Sequence, residues 1–534
     1  MDALFLRASE LGGVAPDQLK LIFSLFVAYP LAALFTSIPA SRPALRHIYN
    51  LAVSAFFLIG LLHLWSGVLQ CLASSAFTYL VAYYVRAPYM PWIIFVAAMG
   101  NLTLNHTLRA LSGAGYDVVD ITGTQMVLTM KLTTFAWNVF DGRHQSPDLD
   151  TSQAAAKITT FPDPLAFLGY VFFFPGILVG PTFEYIYYEQ LVHGTLFTPN
   201  PIADKTAQSS RLPQGRKRAA YTKFAQGAFF LGVFALWGGG MDYDRILTPE
   251  FSQKSFLGRY FFTYRLGLAQ RTKYYGVWLL AEGASILTGL GFNGYAKTGE
   301  TLWNRTANVD IMNIEIAPNF KILLDSWNMN TNIWLRNCVY KRVTPKGKKP
   351  GFSSSMITFL TSAFWHGIHI GYYLSFFLGG FIQYSNRLMR QYCRPLFLTP
   401  DGKSTQYKPI YDALGILASS AILGYVVAPF QLLDLKRSIL AWHRLYWYGH
   451  ILVALPIIFF LNGGKRVMRK VLASRGIVLP DRRKRKPGAE TPLTSGAVTP
   501  GAPGAPNGVA LNVPPVEMVV KEASAALQES KKDI

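Results

Sequence analysis

Two histidines, His366 and His369, lie inside the apolar run ITFLTSAFWHGIHIGYYLSFFLGGFI (residues 357–382), which is long enough to cross a bilayer as one helix. An ionisable side chain at that depth is costly and usually faces a bundle interior or a water-filled cavity. Histidines three positions apart share a face of such a helix. Burial favours the neutral imidazole, which has one nitrogen free to accept a proton. The run therefore predicts a general base within the membrane.

The same two histidines also allow a proton path, part of a metal site, or hydrogen-bonded packing. A protein zinc site normally needs three or more ligands, and no Cys, Asp or Glu lies beside this pair in the sequence. The three cysteines, Cys71, Cys338 and Cys393, are far apart and form no CxxC pair. We therefore expect no bound metal and no disulfide framework.

A second cluster, LLDSWNMNTNIWLRNCVYKRV (residues 323–343), concentrates amide side chains beside aromatic and cationic ones. A helix cap or turn needs only one or two asparagines. The additional amides can hydrogen-bond a polar ligand, and the cations that follow can hold phosphates. The amides are Asn328, Asn330, Asn332 and Asn337, the aromatic residues are Trp327, Trp334 and Tyr340, and the cations are Arg336, Lys341, Arg342, Lys346, Lys348 and Lys349.

Several common catalytic patterns are missing from this sequence. No histidine is followed five positions later by Asp, and neither a GxSxG nor a GxxxxGK[ST] string occurs. Serine-hydrolase and nucleotide-hydrolysing chemistries therefore lose their usual sequence support.

The composition is that of a membrane protein, with 51% hydrophobic and only 15% charged residues. Because hydrocarbon offers backbone groups no hydrogen-bonding water, these runs predict an all-α integral membrane protein with roughly ten or eleven spans. The apolar windows are 20–37, 50–69, 71–85, 89–100, 164–180, 224–240, 275–291, 357–382, 411–431 and 446–462.

A strongly basic stretch, KRVMRKVLASRGIVLPDRRKRKP (465–487), follows the last apolar window. The positive-inside rule places such a stretch in the cytosol, where it is expected to contact anionic headgroups rather than nucleic acid. We therefore divide the chain into a membrane domain (1–464) and a basic, largely disordered cytosolic tail (465–534) rich in Pro and Gly. The sequence ends in KKDI, a spacing typical of the dilysine signal for retrieval to the endoplasmic reticulum by coat proteins.

The strings WNMNTNIWLRNCVYKR and TSAFWHGIHIGYY resemble the membrane-bound O-acyltransferase family, and specifically its fungal-type lysophospholipid acyltransferase branch. Further matches are TGTQMVLTMKLTTFAWNVFDG (122–142), FFFPGILVGPTFEYIYY (172–188) and GFNGYAKTGETLWNRTANVDIMNIE (291–315). The resemblance extends over roughly residues 15–465 and implies helices around an intramembrane catalytic tunnel.

In that family the histidine of the WHG motif and the first asparagine of the WNxNTN motif form the catalytic pair, which here implies His366 and Asn328. His369 matches a family position other than the catalytic base. We expect further substrate contacts from the neighbouring side chains. These are Trp365, His369, Asn330, Asn332, Trp334, Arg336, Tyr340, Lys341, Arg342 and, in the 172–188 match, Glu184.

The resemblance implies an enzyme of the endoplasmic reticulum membrane that transfers an acyl chain from acyl-CoA, its co-substrate, to the free hydroxyl, expected at sn-2, of a lysophospholipid. Such a transfer needs a base, a stabilised oxyanion and the exclusion of water. No permanently bound cofactor is expected. Diacylglycerol, sterol or protein O-acylation within the same family stays open, as does a lipid scramblase or transporter in which the histidines line a path.

Overall fold

The computed structural model describes residues 2–113, 118–144, 149–198, 212–344, 350–477 and 479. Its regular structure is helical, and the extended pairings in these ranges are three isolated bridges, one of which joins Val309 to Trp327. The α-helices are α1 (Asp2–Gly12), α2 (Pro16–Ser37), α3 (Pro43–Ala55), α4 (Trp65–Tyr84), α5 (Met90–Ser112), α6 (Thr122–His144), α7 (Thr151–Ala156), α8 (Pro164–Val171), α9 (Tyr185–His193), α10 (Arg216–Val233), α11 (Pro249–Ser252), α12 (Phe256–Thr288), α13 (Ile311–Glu315), α14 (Phe320–Ser326), α15 (Met329–Leu335), α16 (Phe352–His366), α17 (Ile370–Tyr392), α18 (Lys408–Leu432), α19 (Leu435–Arg444), α20 (Tyr448–Phe459) and α21 (Lys465–Ser474).

The prediction of an all-α integral membrane protein is confirmed. Five helical segments are long and apolar enough to cross a membrane. Large apolar side chains on them point outward, as lipid-facing residues do; Leu455 on α20 is 60% exposed. The five segments are Pro16–Ser37, Pro43–Leu61, Arg216–Leu247, Lys408–Leu432 and Tyr448–Ser474.

Three of the apolar windows do not form single long helices. In the window 50–69, the helical segment ends at Leu61 and α4 begins at Trp65. In the window 164–180, α8 ends at Val171 and only a short 3-10 turn, Phe174–Gly176, follows. The window 357–382 is divided between α16 and α17, so the prediction of one continuous helix there is wrong. One continuous helix and two shorter helices with a turn between them would have the same apolar composition, because composition reflects burial and not the path of the backbone.

The long helix α12 is the central packing element. It contacts α10, α2 and α18. Its contact with α10 is close because both helices have glycine at the crossing: a Cβ on Gly227 would lie 3.0 Å from the carbonyl oxygen of Gly276. Small residues at such crossings let helix backbones approach each other.

Helix α6 is buried along most of its length, and it packs against α4, α5 and α15. A helix that is buried on all sides has no polar face to give it an amphipathic pattern. In this protein α6 contacts the segments that carry both sequence motifs, and it is therefore the element that positions the site.

The basic segment that follows α20 begins as a helix. The backbone leaves helical geometry at Asn462 and Gly463, and α21 starts at Lys465, the residue at which the sequence places the domain boundary. Residues 480–534, including the KKDI end, lie outside the described residues.

Candidate active site

His366 is the last residue of α16. Gly367 has φ 141°, a conformation that favours glycine, and the chain turns there before α17 begins at Ile370. His369 precedes α17 and is exposed, whereas His366 is half-buried. The expectation that both histidines share one helical face is therefore wrong, because a glycine with positive φ ends the helix between them.

The imidazole of His366 is enclosed by aromatic rings. Phe376 is stacked on it, with ring centroids 5.1 Å apart and an angle of 23°. Phe430 meets it edge-on at 5.0 Å, and the Trp365 and Tyr372 rings lie at 4.8 and 5.8 Å. Within the described part of the chain, neither imidazole nitrogen is hydrogen-bonded to protein. The ring is thus oriented by packing, which leaves a nitrogen free to accept a proton.

Trp365, the residue before His366, contacts two other helices. Its indole Nε1 donates a hydrogen bond to the Met126 carbonyl oxygen of α6 at 3.0 Å. Its own carbonyl lies 3.3 Å from Nε2 of His106 on α5. The last carbonyl groups of a helix lack intrahelical donors, and a histidine N–H can satisfy one of them. These contacts hold the end of α16 in position at His366.

Asn328 immediately precedes α15 and has a left-handed backbone, with φ 45° and ψ 57°. Asparagine tolerates this conformation better than most residues do. Its Oδ1 accepts a hydrogen bond of 2.8 Å from the Thr331 hydroxyl. Across the residues that the structure describes, its Nδ2 has no acceptor. The amide is consequently held with its N–H group available to a ligand.

The two motifs meet on α6. The Thr331 hydroxyl, beside Asn328, lies 3.3 Å from the Met130 sulfur, and Trp365, beside His366, bonds to Met126. Met126 and Met130 are one helical turn apart and so lie on the same face. The rings of Trp334 on α15 and Trp365 also pack together, with centroids 5.8 Å apart. Tertiary packing thus brings the Asn and His motifs to one place.

The other residues of the asparagine motif make contacts within the protein. The Asn330 side chain donates to the Ala307 carbonyl at 3.1 Å, and the Asn332 side chain donates to the Leu324 carbonyl at 2.8 Å. The Trp334 indole donates to the Thr133 hydroxyl on α6 at 2.8 Å. These polar groups hold α15 in position, and their predicted contact with substrate stays a prediction.

Two of the predicted phosphate-binding cations have carboxylate partners. The Arg342 guanidinium forms a two-pronged contact with the buried carboxylate of Asp141, at 2.9 and 2.5 Å, and Lys341 pairs with Asp150. Burial acts to raise the pKa of Asp150, but hydrogen bonds from Lys341 and Ser152 hold that pKa below its ordinary value. These pairs join the segment after α15 to α6 and to the start of α7.

Arg336, Tyr340 and Glu184 are half-buried. Arg336 forms no ion pair with any described residue, so it is the better placed of these cations to meet an anionic ligand. The Glu184 carboxylate accepts a hydrogen bond of 3.0 Å from Asn138 on α6. Lys346, Lys348 and Lys349 lie outside the described residues.

Among the described residues, no three His, Cys, Asp or Glu side chains are grouped in a way that could hold a metal ion. His106, on α5, is an ionisable neighbour of His366. The arrangement is therefore an imidazole without a protein hydrogen bond in aromatic surroundings and an amide donor on a neighbouring segment, both packed on α6.

Sequence reasoning missed the residues that orient the His366 and Asn328 side chains. Phe376, Phe430, Thr331 and His106 contact His366, Asn328 or their immediate neighbours. Thr331 lies inside the motif that was singled out, and the run GYYLSFF after the histidines contains Phe376. Phe430 and His106 carry no local signal, because each comes from a different helix.

The fold and the site define a multi-pass helical membrane protein with a His and Asn pair suited to acyl transfer. A family model for the membrane-bound O-acyltransferase family matches residues 80–428, and the chain belongs to this family. It is therefore an acyltransferase.

Among its relatives, a lysophospholipid acyltransferase of Schizosaccharomyces pombe is 40% identical over 86% of this chain and 89% of its own length. A lysophospholipid acyltransferase of Saccharomyces cerevisiae is 38% identical over 86% of this chain and 76% of its own length. The human membrane-bound glycerophospholipid O-acyltransferase 2 is 28% identical over 78% of this chain and 79% of its own length.

Proposed function

We propose that this protein transfers an acyl chain from acyl-CoA to the free hydroxyl of a lysophospholipid, at sn-2, with His366 as general base and Asn328 as a hydrogen-bond donor. The observation that carries the proposal is the convergence of both motifs on one face of α6, through Met126 and Met130. The two fungal relatives, both named lysophospholipid acyltransferase, support the choice of acceptor.

His366 takes the proton of the lysophospholipid hydroxyl as its oxygen attacks the thioester carbonyl. The tetrahedral intermediate then collapses, and the thiolate of CoA leaves and takes up a proton, for which the imidazolium is the donor. The aromatic rings around His366 exclude water from this step, and water would otherwise hydrolyse the thioester.

Asn328 contributes through its amide nitrogen. Because Thr331 occupies Oδ1, the N–H group is the part of the side chain left to contact substrate. A donor held in this way stabilises an oxyanion without reorganising during the reaction. The same donor also positions the acceptor hydroxyl if that group binds first.

Activity of point variants tests these roles. The purified protein is reconstituted in liposomes with labelled acyl-CoA and a lysophospholipid. We expect His366→Ala to lower kcat by ~10² to 10⁴, the usual contribution of a positioned base. Loss of one oxyanion donor, in Asn328→Ala, is expected to cost about 10² or more. Wild-type turnover in a folded His366→Ala protein would overturn the mechanism.

Two further histidines serve as controls in that assay. His369→Ala is expected to retain most of the turnover, because His369 is exposed and its nearest ring contact, with Tyr372, is 6.2 Å between centroids. His443→Ala, on the exposed side of α19, is the matched control for loss of an imidazole elsewhere.

A panel of acceptors tests the substrate class. Lysophospholipids of different headgroup are compared with diacylglycerol, a sterol and an acceptor peptide. Product from lysophospholipid alone supports the proposal, and preference for another acceptor contradicts it. Movement of labelled lipid between leaflets without any acylated product would instead support a scramblase.

The proposal includes the location of the protein in the endoplasmic reticulum membrane, with a cytosolic C-terminus. The basic residues after α20 and the closing KKDI, which coat proteins would recognise, support it. Replacing Lys531 and Lys532 by Ser should let the tagged protein leave the endoplasmic reticulum while its acyl transfer is unchanged. An unchanged location by fluorescence microscopy would count against the retrieval signal.

A further inference from the structure

A basic groove lies at the bend between α20 and α21, and it belongs to neither sequence motif. It has a volume of about 580 Å³. Its charged wall consists of Lys465, Arg466, Arg469 and Lys470, and Phe460 and Leu461 form part of its apolar lining.

The four cations of the basic groove are arranged as two like-charged pairs. Lys465 and Arg469, like Arg466 and Lys470, are four residues apart on α21 and thus adjacent on its surface. Like charges at this spacing destabilise a helix. Within the described part of the chain, no carboxylate pairs with any of the four. An anion bound from outside the helix would remove the repulsion.

On two other helices, a lysine is paired with a carboxylate of the same helix. On α18, Lys408 pairs with Asp412 four residues later, and on α14, Lys321 pairs with Asp325. The basic groove concentrates positive charge that the described protein does not neutralise.

The position of the basic groove indicates where the anion comes from. Ile458, on the apolar helix just before it, is 55% exposed, as a lipid-facing residue is. On α21, Val467 is 53% exposed between the cations, whereas Leu472 is fully buried against the protein. A helix that exposes both cations and apolar side chains next to a membrane span is suited to the headgroup boundary.

We propose that the basic groove binds an anionic glycerophospholipid of the surrounding bilayer. The cations contact the phosphate of its headgroup, and Phe460 and Leu461 contact its glycerol and upper acyl region. Arginine and lysine bind phosphate oxygens by charge-assisted hydrogen bonds. A freely dissolved phosphate would use the cations alone and gain nothing from the apolar lining. The site is independent of the acyl-transfer chemistry at His366.

The test measures lipid retention by the full-length purified protein with native mass spectrometry. Phosphatidylserine is the anionic probe, and phosphatidylcholine is the neutral probe. The quadruple variant K465Q/R466Q/R469Q/K470Q removes the charge of the groove while keeping good helix formers. The matched control R7Q/R42Q/K297Q/K403Q removes the same number of exposed cations elsewhere.

We expect the apparent affinity for phosphatidylserine to fall by ~10-fold or more in the quadruple variant. It should be unchanged in the control. The double variant R469Q/K470Q is expected to show an intermediate loss, and its thermal melting, compared with that of wild type, checks that the fold is intact. Phosphatidylcholine, whose phosphate charge is balanced by its own choline, should be retained less than phosphatidylserine by the wild-type protein and should lose less retention in the quadruple variant.

Three results would overturn the proposal. The first is equal retention of the two lipids by the wild-type protein, and the second is phosphatidylserine retention that survives in the folded quadruple variant. The third is binding of inorganic phosphate alone as tightly as phosphatidylserine, because the apolar lining would then contribute nothing and the groove would be a site for a free phosphate.

Discussion

The Phe376 ring, which is stacked on the His366 imidazole, provides a direct test of how the proposed base is oriented. Phe376→Leu removes the ring that lies 5.1 Å from the imidazole while keeping an apolar side chain of similar size. Since no described residue hydrogen-bonds the imidazole, this ring is one of the few constraints on its rotation. Its loss should lower the fraction of molecules in which the base faces the acceptor hydroxyl.

The expected fall in kcat can be worked out from the ring contact that is lost. One offset or stacked aromatic pair contributes ~0.5 to 1.5 kcal/mol beyond its buried area. At about 1.4 kcal/mol for each factor of ten, kcat should fall by about 2- to 10-fold. The edge-on contact with Phe430 persists in this variant, so the loss should be far smaller than that of His366→Ala.

The assay is acyl transfer under saturating acyl-CoA and lysophospholipid, so that kcat and KM are separated. Phe377→Leu is the matched control: it is the next residue, is 50% exposed and packs on Phe381 rather than on the histidine. The control should keep wild-type kcat. If Phe376→Leu and Phe377→Leu had equal kcat, packing would not be what orients the base.

Three further predictions concern the supports of the site. Gly371→Ala should lower stability by about 1 to 3 kcal/mol, because its Cβ would lie 2.1 Å from the Pro429 carbonyl oxygen at the end of α18; thermal denaturation measures this. Thr331→Val should reduce kcat about 5-fold by freeing the Asn328 amide, and Thr331→Ser should restore most of it, as measured by acyl transfer. Asp150 has a lowered pKa, so its stabilising contribution is present above about pH 4 and is lost as the pH falls through its folded value. Melting temperatures of Asp150→Asn should therefore depend less on pH in the acid range than those of wild type.

Each of these predictions has a contradicting result. A Gly371→Ala protein as stable as wild type would mean that α17 and α18 separate without cost. Equal turnover of the Val and Ser variants at 331 would show that the hydroxyl does not hold the amide. Parallel acid melting curves for wild type and Asp150→Asn would exclude a contribution from the ion pair with Lys341.

The predicted membrane class and the two motifs could be obtained from sequence because their signals are local. Helical spans follow from runs of apolar residues, and five segments of the described chain meet that criterion. The division of 357–382 could not be predicted in the same way. A single backbone angle at Gly367 turns the chain, and the glycines of the apolar runs are equivalent by composition.

The predicted substrate contacts show a second limit of prediction from sequence. Asn330, Asn332 and Asn328 lie within five residues, yet the amide nitrogens of the first two donate to protein carbonyls and that of the third has no acceptor among the described residues. Their residue type is the same, so only their partners distinguish them. The partners of Asn330 and Asn332 come from the loop before α13 and from α14, which sequence spacing does not place.

The sequence by itself determined the helical membrane class, the acyltransferase motifs and the concentration of basic residues after the last span, because each depends on residue type and near-neighbour spacing. Only the tertiary structure decided which histidine is enclosed and which is exposed. It also decided that α6 contacts both motifs and that Phe430 of α18 packs against the His366 ring. These contacts join segments far apart in the chain, and their formation depends on how whole helices pack rather than on any local pattern.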